Sequence, residues 1–190
     1  MSILSNRFSD AKQEAGEYTR AVLGLLGDRD PVQVLERTPG LVAEQLAGLP
    51  PADVARPELP GKWSMLHVMR HLADSDLVWA YRLRRILAED RPPIHGYDQD
   101  LWSQHLHYER ADAGESLAEL RAVRTGNLRL IRSLGPAERA RVGVHTERGE
   151  ESIEHSLRMY AGHDILHLNQ LARIRSSLVG AVGGMHSERR

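Results

Sequence analysis

Residues 63–79 read WSMLHVMRHLADSDLVW and open a long periodic run. Met65, Met69, Leu72, Trp79, Leu83 and Ile86 follow one another at helical steps, so they share one face of a helix from about Ser64 to Glu89. A single amphipathic helix of that length cannot bury its stripe alone. The same period recurs on either side. Ala11, Ala15, Tyr18, Val22 and Leu25 precede a stop at Gly27, and Asp30-Pro31 reads as an N-cap followed by the first helical residue. Val32, Leu35, Val42, Leu46 and Leu49 continue the pattern, with Thr38-Pro39 predicting a kink or a fresh start. Leu117, Leu120, Leu128, Ile131 and Leu134 predict another helix, and Ile153, Leu157, Tyr160, Leu171, Ile174 and Leu178 a last one. Only Val142 to Val144 reads as extended. The expectation is an all-α four-helix bundle with an extra N-terminal helical segment and one long crossover loop, an architecture that builds its sites between facing helices.

The 190 residues are 41% hydrophobic and 27% charged, enough for one soluble domain over residues 1–190 with a core of its own. A net charge of −1 offers no basic face to nucleic acid or to an anionic membrane. The apolar runs are shorter than the ~20 residues of a membrane span. The opening MSILSNRFSDAKQE lacks the pattern of a signal peptide, so the cytoplasm is the expected location. There is no cysteine, which excludes disulfides, thiolate ligands and a cysteine nucleophile. Metal ligands must come from carboxylates or from the ten histidines.

Two pairs of histidines have ligand spacing. His67 and His71 lie four apart in the central run, and His163 and His167 lie four apart in YAGHDILHLNQLARIR, residues 160–175. Positions i and i+4 stack on one helix face, as a metal would require of two ligands. If the two helices face each other, one or both of the first pair meets the second. Three imidazoles leave a coordination position open, which suits a catalytic metal better than a structural one. Asp74 and Gln170 each follow a histidine by one turn and are expected to fix imidazole tautomers or orient a water without being ligands. Asp164 points away from the histidine face, where a salt bridge to an arginine is the plainer reading. His105, His107, His155 and His186 read as surface residues.

With those residues in view, the chain resembles the DinB/YfiT-like superfamily. GKWSMLHVMRHLADSD (61–76) is similar to its W-S-x-x-x-V-x-x-H-L-x-D-x-E segment, and HDILHLNQL (163–171) to its closing H-D-x-x-H-x-x-Q-I motif. PPIHGYDQDLW (92–102) resembles the connection found in the bacillithiol-transferase-like branch. The similarity covers about residues 31–178, with Asp76 where many members have glutamate. By position, the resemblance implies that His71, His163 and His167 hold a divalent metal, and it leaves His67 out. Zinc is the default, with nickel, iron or manganese open. It further implies a small-molecule substrate and a homodimer. The implied activity is a thiol S-transferase of detoxification or stress response, its thiol supplied as a low-molecular-weight cosubstrate. A hydrolase that activates water, and a metal-binding protein without catalysis, remain alternatives.

The crossover loop completes the expectation. Residues Pro92 to Tyr108 should cover the mouth of the metal pocket, with Tyr97 and Trp102 on the substrate side. The end of the preceding helix lies about 30 Å beyond His71 at ~1.5 Å per residue, so the loop must fold back to do this. Otherwise Trp102 plugs the end of the bundle.

Overall fold

A computed structural model describes residues 11–184; His186 lies outside them. The helices are α1 (Ala11–Leu26), α2 (Pro31–Leu46), α3 (Pro51–Val54), α4 (Met65–Ala88), α5 (Gln99–His105), α6 (Ala113–Ser133), α7 (Pro136–Arg139) and α8 (Ile153–Gly184). Three short strands are β1 (Pro93–Ile94), β2 (Val142–His145) and β3 (Gly149–Ser152). Helix α2 packs on α6 and α8, and α4 packs on the same two, which closes a ring of four. This is the four-helix bundle that the periodicity predicts. Helix α1 is the extra segment and lies against α8.

Local chemistry starts and stops these helices where the sequence suggests. Asp30 Oδ1 accepts from the amides of Val32 and Gln33 at 2.8 and 3.3 Å, with Pro31 in the first helical position, where no N–H is needed. Ser64 caps α4 and Asp112 caps α6. Gly27 ends α1 with a φ of +57°. Helix α2 runs on through Pro39 instead of starting afresh. Proline cannot donate to the carbonyl four residues back, and the freed oxygen of Leu35 accepts from Arg124 Nη1 at 2.7 Å.

Arg124 ties the ring together. Its side chain is 3% exposed and pairs with Asp76 of α4 at 2.7 Å and Asp164 of α8 at 2.6 Å. One guanidinium of α6 thus bonds to each of the other three bundle helices. The salt bridge predicted for Asp164 is this one. Burial pushes the Asp76 carboxyl up to about 6, against the pull of Arg124. These groups form a polar layer between two apolar clusters. Met65, Met69, Leu72, Leu120, Leu171 and Ile174 belong to one, and Trp79, Leu83, Ile86, Leu128, Ile131 and Leu157 to the other.

The crossover is more ordered than its lack of periodicity suggests. It contains β1, α5 and a 3-10 turn at Tyr108–Arg110. Strand β1 pairs parallel to β2, with Ile94 opposite His145, and β2 and β3 form a hairpin. A two-residue strand leaves no readable alternation, so only the β2 segment was legible. Gly143 lets the sheet lie on α4, since a Cβ there would sit 2.7 Å from Ile94 Cγ1 and 2.9 Å from Ile86 Cγ1.

Candidate metal centre

His71 projects from α4, and His163 and His167 from successive turns of α8. Their Nε2 atoms converge: His71 to His163 is 3.0 Å and His163 to His167 is 3.1 Å. A tetrahedral ion with bonds of ~2.0–2.1 Å sets its ligand nitrogens about 3.3 Å apart, so the spacing fits. Proton counting also asks for a cation. His167 Nδ1 lies 2.9 Å from Gln170 Oε1 and donates to it, which leaves Nε2 as a bare lone pair. A proton on His163 Nε2 could serve only one of its two neighbours. A metal ion would satisfy all three nitrogens at once.

Electrostatics keeps the triad in its ligand form. Burial, followed by the neighbouring His167, holds His71 well below the usual imidazole range. Burial, then His167, His71 and Arg124, do so for His163. Burial also lowers His167, opposed by its hydrogen bond to Gln170. Neutral imidazole is what a metal binds. Among the described residues, these three histidines form the cluster with metal-ligand geometry.

Gln170 sits against His167 Nδ1, where it can hold the tautomer. Asp74 sits equally close in sequence to His71 but turns elsewhere: Oδ2 accepts from the Tyr108 hydroxyl at 2.5 Å and Oδ1 from Arg70 at 2.5 Å. His71 Nδ1 is buried without a hydrogen-bond partner, so Asp74 does not fix the His71 tautomer. Arg70 in turn reaches Glu119, which makes Asp74 a joint between α4, α6 and the crossover. His67 stays out of the cluster. Its Nδ1 meets the capping Ser64 hydroxyl at 2.8 Å, and its ring stacks near Trp63. His105 and His107 are exposed and His155 is half-buried.

The triad lines a cavity of about 390 Å³. The crossover does fold back over it, since Ile94, Gly96, Tyr97, Asp98 and Gln99 form part of the wall. Tyr97 is among the lining residues. Trp102 is not: it stands behind Tyr97, ring centroids 4.5 Å apart, and is half-buried. It supports the wall instead of lining it. Tyr18, Arg82, His145, Arg148 and Tyr160 also line the cavity and escaped the sequence reading. Tyr160 was legible, lying one turn before His163, but its place in the apolar stripe marked it as core. Tyr18 belongs to α1, whose seat on α8 no local pattern specifies.

Known proteins bear on this geometry. Residues 34–171 match the DinB superfamily. YfiT of Bacillus subtilis is 30% identical over 146 residues, covering 75% of this chain and 82% of that protein. OB0782 of Oceanobacillus iheyensis is 26% identical over 159 residues, or 84% and 89% of the two chains. Both are described as proposed metal-dependent hydrolases. The solved structure of Bacillus subtilis YfiT, described as a four-helix bundle of unusual topology, aligns with a TM-score of 0.68 at 26% identity. The alignment covers 88% of this chain and 90% of that one.

Proposed function

The chain belongs to the DinB superfamily, and from that premise we propose that it is a metal-dependent enzyme using a low-molecular-weight thiol as cosubstrate. One observation carries the reading: three converging imidazole nitrogens open onto a cavity large enough for a small molecule. A purely structural metal would need no such cavity. A divalent ion held by His71, His163 and His167 supplies Lewis acidity, which lowers the pKa of a thiol or a water bound beside it. Zinc is the expected ion.

A thiol asks less of the surrounding carboxylates than water does. Asp76 and Asp164 are both bonded to Arg124, Asp74 to Tyr108 and Arg70, and Glu151 to Arg148. Each of these four is engaged by an arginine, although Asp76 Oδ1 stays unpaired, and a thiol, with an ordinary pKa near 8.5, needs less help from a base than water does. The chain brings no cysteine, so the sulfur must arrive with a substrate. Tyr97, Tyr160 and Tyr18 would hold the electrophile against it. Hydrolysis is the second reading, favoured by the descriptions of the two relatives.

Metal analysis of the purified protein beside His163→Ala tests the site; equal metal in both would remove it. Turnover of an electrophile such as a haloarene, with and without added thiol, separates the two chemistries. Transfer predicts consumption of the thiol in step with the electrophile. Product formation indifferent to thiol would favour hydrolysis.

A further inference from the structure

Beyond the three histidines, the cavity wall is rich in hydrogen-bond donors. His145 stands at the end of β2 and is 2% exposed. Its Nδ1 accepts the amide N–H of Glu147 at 3.2 Å, so its proton sits on Nε2. That Nε2 is buried and has no partner among the described residues. An unpaired buried N–H is a cost that native structures rarely carry without a use. Around it lie Arg82, whose Nη1 is 3.5 Å from the Tyr160 hydroxyl, and Arg148, which donates to Glu151 at 3.0 Å.

Burial and the charges nearest His145 set its proton state. Burial, then Arg148 and Arg82, push His145 down to about 4 against the pull of Glu151, which keeps it a neutral donor. Two guanidiniums thus face it with one carboxylate. Burial likewise raises Tyr18, Tyr97 and Tyr160, so each hydroxyl keeps its proton. Four more carboxylates, Glu17, Asp98, Asp100 and Glu147, also line the cavity. Asp98 caps α5, the Glu147 side chain lies against Gly96, and Glu17 and Asp100 are exposed.

We propose that this part of the cavity is a carboxylate subsite, in which His145, Arg82 and the tyrosine hydroxyls receive an acidic group of the molecule that meets the three histidines. A carboxylate would meet Arg82, the neutral His145 donor and the tyrosine hydroxyls, and the carboxylates that also line the cavity weigh against a phosphate dianion. The Tyr160 hydroxyl is 3.5 Å from Arg82 Nη1 and its ring centroid lies 6.2 Å from that of His163, so the subsite is within the length of one small molecule from the metal centre. The substrate class is therefore a small molecule with a carboxylate at one end. This rests on the reading of the histidines as a metal centre open to the cavity.

The experiment uses cobalt-substituted protein and two matched thiols, 8-mercaptooctanoate and 8-mercapto-1-octanol, with binding followed through the cobalt absorption. The acid should bind about tenfold or more tighter than the alcohol, the scale of one charge-assisted hydrogen bond. In Arg82→Gln and Tyr18→Phe that ratio should fall towards one. A ratio near one in the native protein, or one preserved in both variants, overturns the subsite while leaving the metal centre intact. If neither thiol alters the cobalt spectrum, the thiol reading fails by itself. The subsite is then judged from octanoate titrated into metal-free protein, by the imidazole nitrogen shifts of His145. Saturable shifts support it, and their absence overturns it.

Discussion

Gln170 and Asp74 each follow a proposed ligand by three residues, yet their hydrogen bonds assign them different work. Gln170→Leu leaves the His167 Nδ1–H buried without an acceptor and frees the ring to turn. Metal affinity should fall about 10–100-fold, measured by chelator competition. Asp74→Asn removes the charged acceptor of Tyr108 and Arg70. It should cost roughly 1.5–3 kcal/mol of stability in a urea titration and leave metal affinity almost unchanged. The reverse pattern would exchange their roles. The triad also makes the metal-free protein sensitive to acid. His71, His163 and His167 titrate below the ordinary 6.5 in the folded chain. As pH falls below 6.5, the unfolded chain gains protons that the folded one refuses, so folding stability falls, by up to about 1.4 kcal/mol per unit for each imidazole. Asp76 opposes this below about 6, because its raised folded pKa favours the folded chain there, but it is one group against three. Melting temperatures of chelated protein should therefore drop between pH 7.5 and 5.5. A flat profile would contradict the buried neutral triad.

At the scale of elements, the wall over the metal centre depends on how two segments are seated. Helix α1 crosses α8 at Gly162, beside His163, and a Cβ there would stand 2.0 Å from the carbonyl oxygen of Val22. Glycine is a poor helix residue, and its use here is close approach. Gly162→Ala should push α1 away, lowering stability by about 1–3 kcal/mol despite the better helix propensity of alanine. It should also increase the reactivity of Tyr18 to a nitrating reagent, read by peptide mapping. Unaltered stability and labelling would mean that α1 does not rest there. The crossover is held by other means. The Val144 amide donates to Pro92 O at 2.9 Å and the Thr146 amide to Ile94 O at 3.0 Å, so the hairpin carries Tyr97 to the cavity. Trp102 then works from behind, against the Tyr97 ring.

For the whole molecule, Arg124 is the single side chain on which most depends. Arg124→Met would leave Asp76 and Asp164 buried without a counter-ion and the Leu35 carbonyl without a donor. The expected loss is about 3–5 kcal/mol by urea titration, and a loss below about 1 kcal/mol would show that the buried pair is dispensable. Assembly is the other question at this scale. The resemblance implies a dimer, and the apolar face of α1 does not supply its surface, because Ala15, Val22 and Leu26 are buried within the chain. We still propose a homodimer, now through α4, where Leu77 and Tyr81 are 50% and 64% exposed one turn apart. Sedimentation at micromolar concentration should give twice the 21.3 kDa chain mass, and a monomer would remove the claim.

Periodicity, caps and the absence of cysteine were enough to establish the helices, their approximate ends and a choice of metal donors confined to histidine and carboxylate. These are local properties, each decided within a turn or two of chain. The motif resemblance added the choice of His71 over His67. Tertiary structure alone decided where each polar side chain spends its hydrogen bonds. Arg124 lies in line with Leu120 and Leu128 on the inward stripe of α6, so a buried arginine could have been suspected. That it bonds Asp76, Asp164 and the carbonyl freed by Pro39 depends on how four helices are rotated against one another. The divergence of Asp74 and Gln170, and the donors around His145, have the same origin. A pattern along one helix fixes which face turns inward, but the partner met there is set by the register between helices, which no single segment encodes.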